Sequence, residues 1–470
     1  MPTAIVVGSG PNGLAAAVTL AKAGVEVTVL EAHESIGGGT RTSELTVPGL
    51  LHDHCSAVHP MGVASPFMRG ADLTSYGVTW RYPEVDLAHP LDGGRAGVMV
   101  QDLEETRALL GVDGDAWARL FGPIADSFDD LAEDLMRPIV HVPHHPVHLA
   151  RFGLRALLPA STVARRWRTD EARALYAGAA AHAFYPLHKP TSSAIGTMLL
   201  AVGHRFGWPV PEGGSARITD ALAAIVLEHG GRIETGVRVR SLDDLLPTDV
   251  VILDLAPAGV VEVAGDRLPR RVRRAYERYR HGPGAFKIDL AVQGGIPWTN
   301  EHARRAGTVH LGGRFEEIAE AEVDIQRGRM PQRPYVLLSQ QYVADPTRSV
   351  GDLHPVWAYA HVPTGYDGDA SEAIIAQVER FAPGVRDRIV AQATTTTAAW
   401  EDYNPNYVGG DIVTGANDAR QVLFRPRLAL DPYSTGIPGV FICSAATPPG
   451  AGVHGMGGAN AAASALRHLR

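Results

Sequence analysis

The first thirty residues join a strand-like run, a glycine-rich turn and a helix-like segment, and this combination constrains the fold most. The run AIVVG at residues 4–8 is β-branched and apolar and ends in glycine, as buried parallel strands do. Gly8, Gly10 and Gly13 follow the G-x-G-x-x-G spacing. A segment with helical periodicity follows, and a second strand-like run ends at Glu31. Together these features predict a strand–helix–strand unit that binds a dinucleotide.

Each glycine of the motif has a separate physical task. Gly8 permits the tight turn, Gly10 lets the backbone approach a pyrophosphate, and Gly13 lets the helix pack closely on the strand. Pro11 and Asn12 stand at the helix N-terminus. This end of a helix offers unpaired N–H groups and a partial positive charge, and we therefore expect it to bind the phosphates.

The end of the second strand predicts which dinucleotide is bound. Glu31, followed by Ala32, stands where a carboxylate accepts hydrogen bonds from the ribose hydroxyls of an adenosine. Because its charge disfavours a 2′-phosphate, the sequence favours FAD or NAD over NADP.

A second glycine cluster separates FAD from NAD. The cluster comprises Gly37, Gly38 and Gly39 and is followed by Thr40 and Arg41. An extended FAD needs a second close backbone approach, and an arginine offsets phosphate charge. An NAD domain has no evident need of such a loop, and the sequence therefore favours FAD.

Length and charge limit the class of protein. The chain has 470 residues, enough for roughly two to four domains. Its formal net charge of −8 argues against a nucleic-acid partner, which requires a concentrated basic face. The chain has no apolar run of about 18 residues, and its first ten residues lack the layout of a signal peptide. We expect a cytoplasmic enzyme, with peripheral membrane contact as an open alternative.

Cysteine and histidine usage gives no sign of a redox disulfide or of a metal. Cys55 and Cys443 are far apart in the chain and form no C-x-x-C pair, and we expect both to be buried small hydrophobes. The histidine-rich run at 144–148 is not accompanied by further side chains at a spacing typical of metal ligands. We therefore expect no metal.

The C-terminal region reads as a buried strand, GVFICSAA, a loop, TPPGAGVHGMGG, and a helix, ANAAASALRHLR. This C-terminal region and three further runs carry a family resemblance. The runs are GGGTRTSELTVPGLLHDHCSAVHP near the start, and EARALYAGAAAHAFYPL and GHRFGWPVPEGGSARITDALA in the middle. The sequence resembles the phytoene desaturase-like branch of the FAD-dependent amine oxidase and carotenoid desaturase superfamily.

The resemblance implies an α/β fold with two interleaved domains. One is a doubly wound Rossmann-type FAD-binding domain that is discontinuous in sequence, and the other is an α+β substrate domain. The expected FAD-binding segments are 1–65, 205–285 and 415–470. The expected substrate-binding segments are 66–204 and 286–414.

The resemblance also implies further cofactor contacts. A valine after the middle helix contacts the adenine through its backbone, and the matching position is Val239, or Val237 if the register slips. The C-terminal helix points its N-terminus at the pyrimidine edge of the flavin, where its dipole favours the anionic reduced form. The implied contacts here are Gly452, Val453, Gly455, Met456 and Asn460. Three positions depart from the family pattern: Ser444, Ala445 and Ala451.

Few residues are expected to take part in the chemistry, because in this superfamily a hydride passes from a C–H bond to the flavin N5. His454 is a candidate proton carrier, with a structural histidine bonded to backbone as the alternative. Lys287 resembles the lysine that reaches the flavin through water in amine oxidases. His182 and His361 are candidate pocket residues, with core or surface histidines as the alternative.

The segment 148–168 mixes arginines with large apolar residues. Such a segment can lie on an anionic membrane surface and admit a lipid-soluble substrate; the alternative is a solvated helix packed on the domain. Carotenoid desaturases are peripheral membrane proteins, and the resemblance supports the membrane reading.

The favoured function is oxidation of a C–C or C–N bond in a largely apolar small molecule by an FAD-dependent dehydrogenase, desaturase or oxidase. Oxygen, a quinone or a nicotinamide is the expected electron acceptor. A flavin-dependent isomerase or reductase and a non-catalytic flavin-binding scaffold remain alternatives. A disulfide reductase is disfavoured because the chain has no paired cysteines and no second strand–glycine–helix motif.

Overall fold

A computed structural model describes residues 1–138 and 140–470. The strands of these residues form two large sheets and two small hairpin-like pairs. The strands are β1 (Thr3–Val7), β2 (Glu26–Leu30), β3 (Thr42–Glu44), β4 (Leu51–Asp53), β5 (Trp80–Arg81), β6 (Val85–Pro90), β7 (Ala96–Met99), β8 (Val210–Pro211), β9 (Arg232–Glu234), β10 (Val250–Leu253), β11 (Gly284–Gln293), β12 (Ala306–Leu311), β13 (Val336–Ser339), β14 (Leu353–Val362), β15 (Ile389–Thr395) and β16 (Val440–Ile442).

The α-helices connect these strands and cover the sheets. They are α1 (Pro11–Lys22), α2 (Pro60–Ala64), α3 (Pro66–Ala71), α4 (Leu103–Leu109), α5 (Gly114–Asp126), α6 (Phe128–Leu135), α7 (Pro146–Ala156), α8 (Ala160–Ala164), α9 (Asp170–Ala181), α10 (Ser193–Phe206), α11 (Ala216–Glu228), α12 (Pro257–Ala264), α13 (Arg270–Glu277), α14 (Glu301–Arg305), α15 (Phe315–Gln326), α16 (Gln341–Ala344), α17 (Ser371–Phe381), α18 (Thr397–Tyr403), α19 (Ala419–Phe424) and α20 (Met456–His468).

The first sheet is parallel and has the strand order β16-β10-β1-β2-β9. Along β1, Ala4 and Val6 enter a core shared with α1, α11 and α20. Ile5 and Val7 point the other way, into a core shared with α12 and α13. Because helices cover both faces, the strands are buried on both sides, which explains their continuous apolar runs. This arrangement confirms the predicted doubly wound α/β class.

The parallel sheet takes its strands from three distant stretches of the chain, at 3–30, 232–253 and 440–442. A discontinuous Rossmann-type unit was expected from the sequence, and the sheet has this organisation. The boundaries assigned above to the two domains stay a prediction.

Helix α1 is held by backbone contacts that only glycine permits. A Cβ added to Gly13 would lie 2.1 Å from the carbonyl oxygen of Gly8, and one added to Gly458 of α20 would lie 1.8 Å from that of Asn12. Neither distance is compatible with a side chain. The turn, α1 and α20 therefore pack at backbone-to-backbone distance.

The second sheet has seven strands in the order β15-β11-β14-β13-β12-β6-β7 and is antiparallel apart from the parallel pair β12–β6. Phe286 and Ile288 of β11 face a core shared with α17. Lys287 and Asp289 point to the opposite face because side chains alternate along a strand. Helices α5, α9 and α10 pack over that face, and their core includes Trp357 and Tyr359 of β14.

A buried arginine joins segments that are far apart in the chain. Arg348 is fully buried and pairs with Asp53 of β4 and with Asp345, and its Nη2 donates to the carbonyl oxygen of Pro211 at 2.8 Å. Both carboxylates satisfy a charge that would otherwise be costly to bury.

Two segments differ from the sequence-based expectation. The run GGRIETGVRVRSL at 230–242 is typical of one strand in the sequence, but β9 ends at Glu234, because Gly236 takes a positive φ of 72° and turns the chain. The segment 148–168 forms two short helices, α7 and α8, instead of one amphipathic helix. Pro159 lies between them, and a proline disfavours helical backbone in the residue before it.

Two further observations concern the cysteines and the length of the helices. Cys55 and Cys443 are both free and buried, as the sequence indicated. Among residues 1–138 and 140–470, no helix is long and apolar enough to cross a membrane.

The close contact between α20 and α1 predicts that one methyl group added at Gly458 destabilises the protein. We expect Gly458→Ala to lower the free energy of unfolding by about 1–3 kcal/mol or more, because the new Cβ meets a rigid carbonyl group. Urea denaturation followed by circular dichroism measures this change. The control is Gly153→Ala in α7, where an added Cβ meets nothing within 4 Å, and an equal loss in both variants would contradict the prediction.

Candidate functional site

A cavity of about 700 Å³ joins the two large sheets. One end lies at the carboxyl ends of β1, β2 and β10, where open α/β sheets bind ligands. At the other end the floor is formed by the inner face of the seven-stranded sheet, and the wall by α6, α7 and α10. Residues of this floor and wall are Thr308, Leu337, Trp357, Tyr359, Phe128, Phe152, Met198 and Leu199.

The first end is a cradle of backbone. The N-cap of α1, Gly10, has no side-chain cap, and the first turn contains no acid, so the positive end of this helix is open to an anion. Gly8 has a positive φ of 103°. A Cβ on Gly38 would lie 3.0 Å from the Cα of Gly10, so the two predicted glycine segments lie against each other. The arrangement leaves room for phosphates and none for side chains.

Glu31 is fixed at the edge of this cradle. Its Oε2 accepts hydrogen bonds from the Ser9 backbone N–H at 2.9 Å and from the Ser9 hydroxyl at 2.6 Å. Its Oε1 accepts from the His33 N–H at 2.8 Å, and Arg41 Nη2 lies 3.4 Å away. The carboxylate is therefore oriented by the residues around it before any ligand arrives.

Asp254, which sequence analysis missed, stands directly behind the cradle. It follows β10, lines the cavity, and accepts a hydrogen bond from the Gly13 N–H at 2.9 Å. Burial raises the pKa of Asp254 to about 7. An acid at the carboxyl end of a central strand was the signal that could have drawn attention to it.

His454 lines the cavity, but its ring is used by its own loop. The Met456 N–H donates to Nδ1 at 3.1 Å, and Nε2 lies 3.2 Å from the Gly450 carbonyl oxygen. Burial lowers the pKa of His454 to about 4, so the ring is neutral with its proton on Nε2. Both nitrogens bond to backbone, which matches the structural alternative and leaves neither free to carry protons.

Lys287 does not line the cavity. Its side chain is 1% exposed and forms an ion pair with Asp289, and its Nζ lies 5.9 Å from the centroid of the Trp357 ring. In the structure this lysine pairs with a buried carboxylate beneath the cavity floor, and its predicted reach toward a flavin stays a prediction.

The two histidines predicted for the substrate pocket differ in position. His182 lines the cavity, with its Nε2 2.9 Å from Nε2 of His310, and burial lowers the pKa of His182 to about 3. His361 lies outside the cavity wall, in correction of the expectation. Its Nδ1 is 2.6 Å from a Glu322 oxygen, and Phe184 stacks on its ring at 3.8 Å.

The predicted cofactor residues divide into two groups. Those that line the cavity are Gly8, Gly10, Pro11, Asn12, Glu31, Ala32, Gly38, Gly39, Arg41, Val239, Gly452 and Val453, and Val237 joins them. Those that lie behind the wall are Gly13, Gly37, Thr40, Gly455, Met456 and Asn460. For example, the Thr40 hydroxyl donates to the Gly37 carbonyl oxygen at 2.8 Å, and Asn460 Nδ2 donates to that of Met136 at 3.0 Å. This second group shapes the site without facing it.

Arg425 is a further cavity residue that sequence analysis missed. It is 4% exposed and lies against the loop before α20. Nothing in the spacing around it signals a site. The described part of the chain contains no group of three or more histidine, cysteine, aspartate or glutamate side chains that could hold a metal ion.

Comparison with known proteins agrees with this geometry. Residues 6–69 match the family described as NAD(P)-binding Rossmann-like domain. Pyridine nucleotide-disulfide oxidoreductase domain-containing protein 2 of Rattus norvegicus is 23% identical over 555 residues, across 99% of this chain and 94% of that protein. Phytoene desaturase (neurosporene-forming) of Rhodobacter capsulatus is 24% identical over 275 residues, 53% of this chain and 51% of that protein.

The fold has a counterpart among solved structures. Wild-type putrescine oxidase bound to putrescine superposes with a TM-score of 0.61 at 16% identity, across 100% of this chain and 98% of that chain. These likenesses define an oxidoreductase with a Rossmann-type dinucleotide-binding domain. Within that class, the chain is similar in sequence to a carotenoid desaturase and in fold to an amine oxidase.

The raised pKa of Asp254 predicts a pH-dependent stability. Between pH 4 and 7 the unfolded chain has lost this proton while the folded chain keeps it, so the free energy of unfolding falls as pH rises. In Asp254→Asn we expect this fall to shrink by a few kcal/mol, because asparagine does not titrate, while its side-chain oxygen can still accept from the Gly13 N–H. Urea denaturation at pH 5 and pH 8 measures it. The exposed Asp126→Asn is the control, and the same slope in all three proteins would contradict the assignment.

Proposed function

We propose that the chain binds FAD in the glycine cradle and oxidises a C–C or C–N bond of a largely apolar small molecule. The observation that carries this proposal is the continuity of the cavity. The same space is lined by Gly10 and Gly38 at one end and by Trp357 and Tyr359 at the other. A cofactor held at the first end and a substrate held at the second would meet inside one enclosure.

The residues of the cradle fit FAD. A Cβ on Gly10 would lie 2.9 Å from Asp254 Oδ2, so the turn has no room for a side chain at this position. The positive N-terminal end of α1 suits a pyrophosphate, and Glu31 suits ribose hydroxyls. The second glycine segment, Gly38 and Gly39, lines the same cavity and favours the longer FAD over NAD.

The protein's part in the reaction is to bind, to orient and to exclude water. When bound, FAD supplies a hydride acceptor at N5. The neutral ring of His454 holds its loop against the cavity, and the aromatic floor presents an apolar surface to the substrate. Positioning of this kind lowers the entropic part of the barrier without a charged catalytic group.

The cradle gives the first test. We expect purified protein to take up FAD and to absorb near ~450 nm, as oxidised flavins do. In Gly10→Ala we expect the affinity for FAD to fall about 10-fold or more, because the new Cβ would lie 2.9 Å from Asp254 Oδ2 and displace the turn that lines the phosphate cradle. Flavin fluorescence during reconstitution measures the dissociation constant.

The control is Gly70→Ala in α3, where an added Cβ meets nothing within 4 Å. Protein that stays colourless after reconstitution would contradict the proposal. Anaerobic mixing of the yellow protein with NADH and NADPH then identifies the electron donor. Bleaching would indicate that a nicotinamide feeds the flavin and would favour the reductase or isomerase alternative, whereas no bleaching leaves the substrate as donor.

We also propose that the protein acts in the cytoplasm and touches a membrane through residues 148–168. Leu154 is 72% exposed, and Leu157, which is 57% exposed, also lines the cavity. Exposed leucines beside the exposed Arg151 suit an anionic lipid surface and would offer an apolar substrate a short route inward.

Vesicle binding tests this contact. We expect the protein to sediment with vesicles of phosphatidylcholine and phosphatidylserine, and Leu154→Ser to weaken this binding several-fold, because it removes exposed apolar surface. The control Leu246→Ser changes a leucine that is 79% exposed elsewhere. Absence of wild-type binding, or equal effects of both substitutions, would argue against the membrane contact.

A further inference from the structure

Four lysine and arginine side chains are buried in the part of the chain that the structure describes, and three of them pair with carboxylates. Arg41 pairs with Glu31, Lys287 with Asp289, and Arg348 with Asp53 and Asp345. The fourth, Arg425, is 4% exposed and forms no salt bridge within residues 1–138 and 140–470. A buried charge without a counterion is costly, so this position requires an explanation.

Arg425 is held in place by neutral groups. Its Nη2 donates to Asn417 Oδ1 at 2.7 Å, and Asn417 Nδ2 donates to the Ala183 carbonyl oxygen at 2.9 Å. This chain of bonds ties the guanidinium to the residue next to His182, which lines the same cavity. Asn417 therefore orients the arginine without neutralising it.

Within residues 1–138 and 140–470, the remaining donors of the guanidinium have no hydrogen-bond acceptor. Its Nε is buried without a hydrogen-bond partner. Nη1 lies against Gly450, where an added Cβ would be only 2.8 Å away, so a side chain at this position would crowd the guanidinium. Asp411, in the loop before α19, accepts instead from the backbone N–H groups of Gly282 and Gly415. The N–H groups on Nε and Nη1 of Arg425 can therefore donate hydrogen bonds to a planar anion.

We propose that Arg425 forms an anion-binding subsite of the cavity and holds the carboxylate of an otherwise apolar substrate. This inference rests on the proposed function and narrows its substrate class from apolar molecules in general to amphipathic acids. Arginine binds a carboxylate through paired hydrogen bonds, while the floor at Trp357 and Tyr359 contacts the apolar remainder. A phosphate of the cofactor offers the same anionic oxygens, and the experiment separates the two sources.

Paired ligands of equal chain length test the subsite. Dodecanoate and dodecan-1-ol are titrated into the FAD-reconstituted protein at pH 8, and calorimetry gives both dissociation constants. We expect the wild type to bind dodecanoate ~10-fold more tightly, as a charge-assisted hydrogen bond provides. In Arg425→Gln we expect the preference to disappear through loss of dodecanoate affinity alone, and in Arg425→Lys part of it to remain.

The matched control is Arg427→Gln, two residues along the chain and outside the cavity wall, which should keep the wild-type preference. Equal binding of the two ligands by the wild type overturns the proposal, whatever the variants do. An unchanged preference in Arg425→Gln also overturns it. If that variant instead loses FAD affinity and keeps the preference, the anion is the cofactor's phosphate and the substrate assignment is wrong. If the wild type does not take up FAD, the proposed function is contradicted. The comparison of dodecanoate with dodecan-1-ol on the same protein still tests whether Arg425 binds a carboxylate.

Discussion

The close approach of three backbones, those of the Gly8 turn, α1 and α20, is the constraint on which the cofactor end depends. Gly13 and Gly458 leave no room for a side chain between these elements. The N-terminus of α1 therefore stands at a fixed position at the carboxyl edge of the parallel sheet. A looser contact would move the helix dipole away from the cavity, and electrostatic attraction to phosphates falls off within the first turn.

Local patterns in the sequence predicted the fold around the glycine cradle. The unit β1–α1–β2 and the final strand, loop and helix are recognisable because their signals, glycine spacing and apolar runs, lie within about thirty residues of each other. The sequence could not separate glycines that face the cavity, such as Gly38, from those behind it, such as Gly37. That difference depends on which way a turn faces after the chain has folded.

The substrate end was less predictable, because its residues meet only through long-range packing. Arg425, Asn417 and Ala183 come from separate segments of the chain, and no spacing rule connects them. His361 illustrates the same limit. It shares a strand face with Tyr359, two residues earlier, yet Phe184 stacks on its ring, and only Tyr359 reaches the cavity.

The three-part origin of the parallel sheet has a consequence for synthesis. β1 and β10 pair at the centre of the sheet, but β10 has an unpaired edge until β16 is added, and the part of α1 that packs on α20 has no cover until α20 follows. A ribosome releases these two elements only after everything between them. The nascent chain must therefore carry an open strand edge and a partly covered helix face while the intervening segments are made, the condition in which chains aggregate or recruit chaperones.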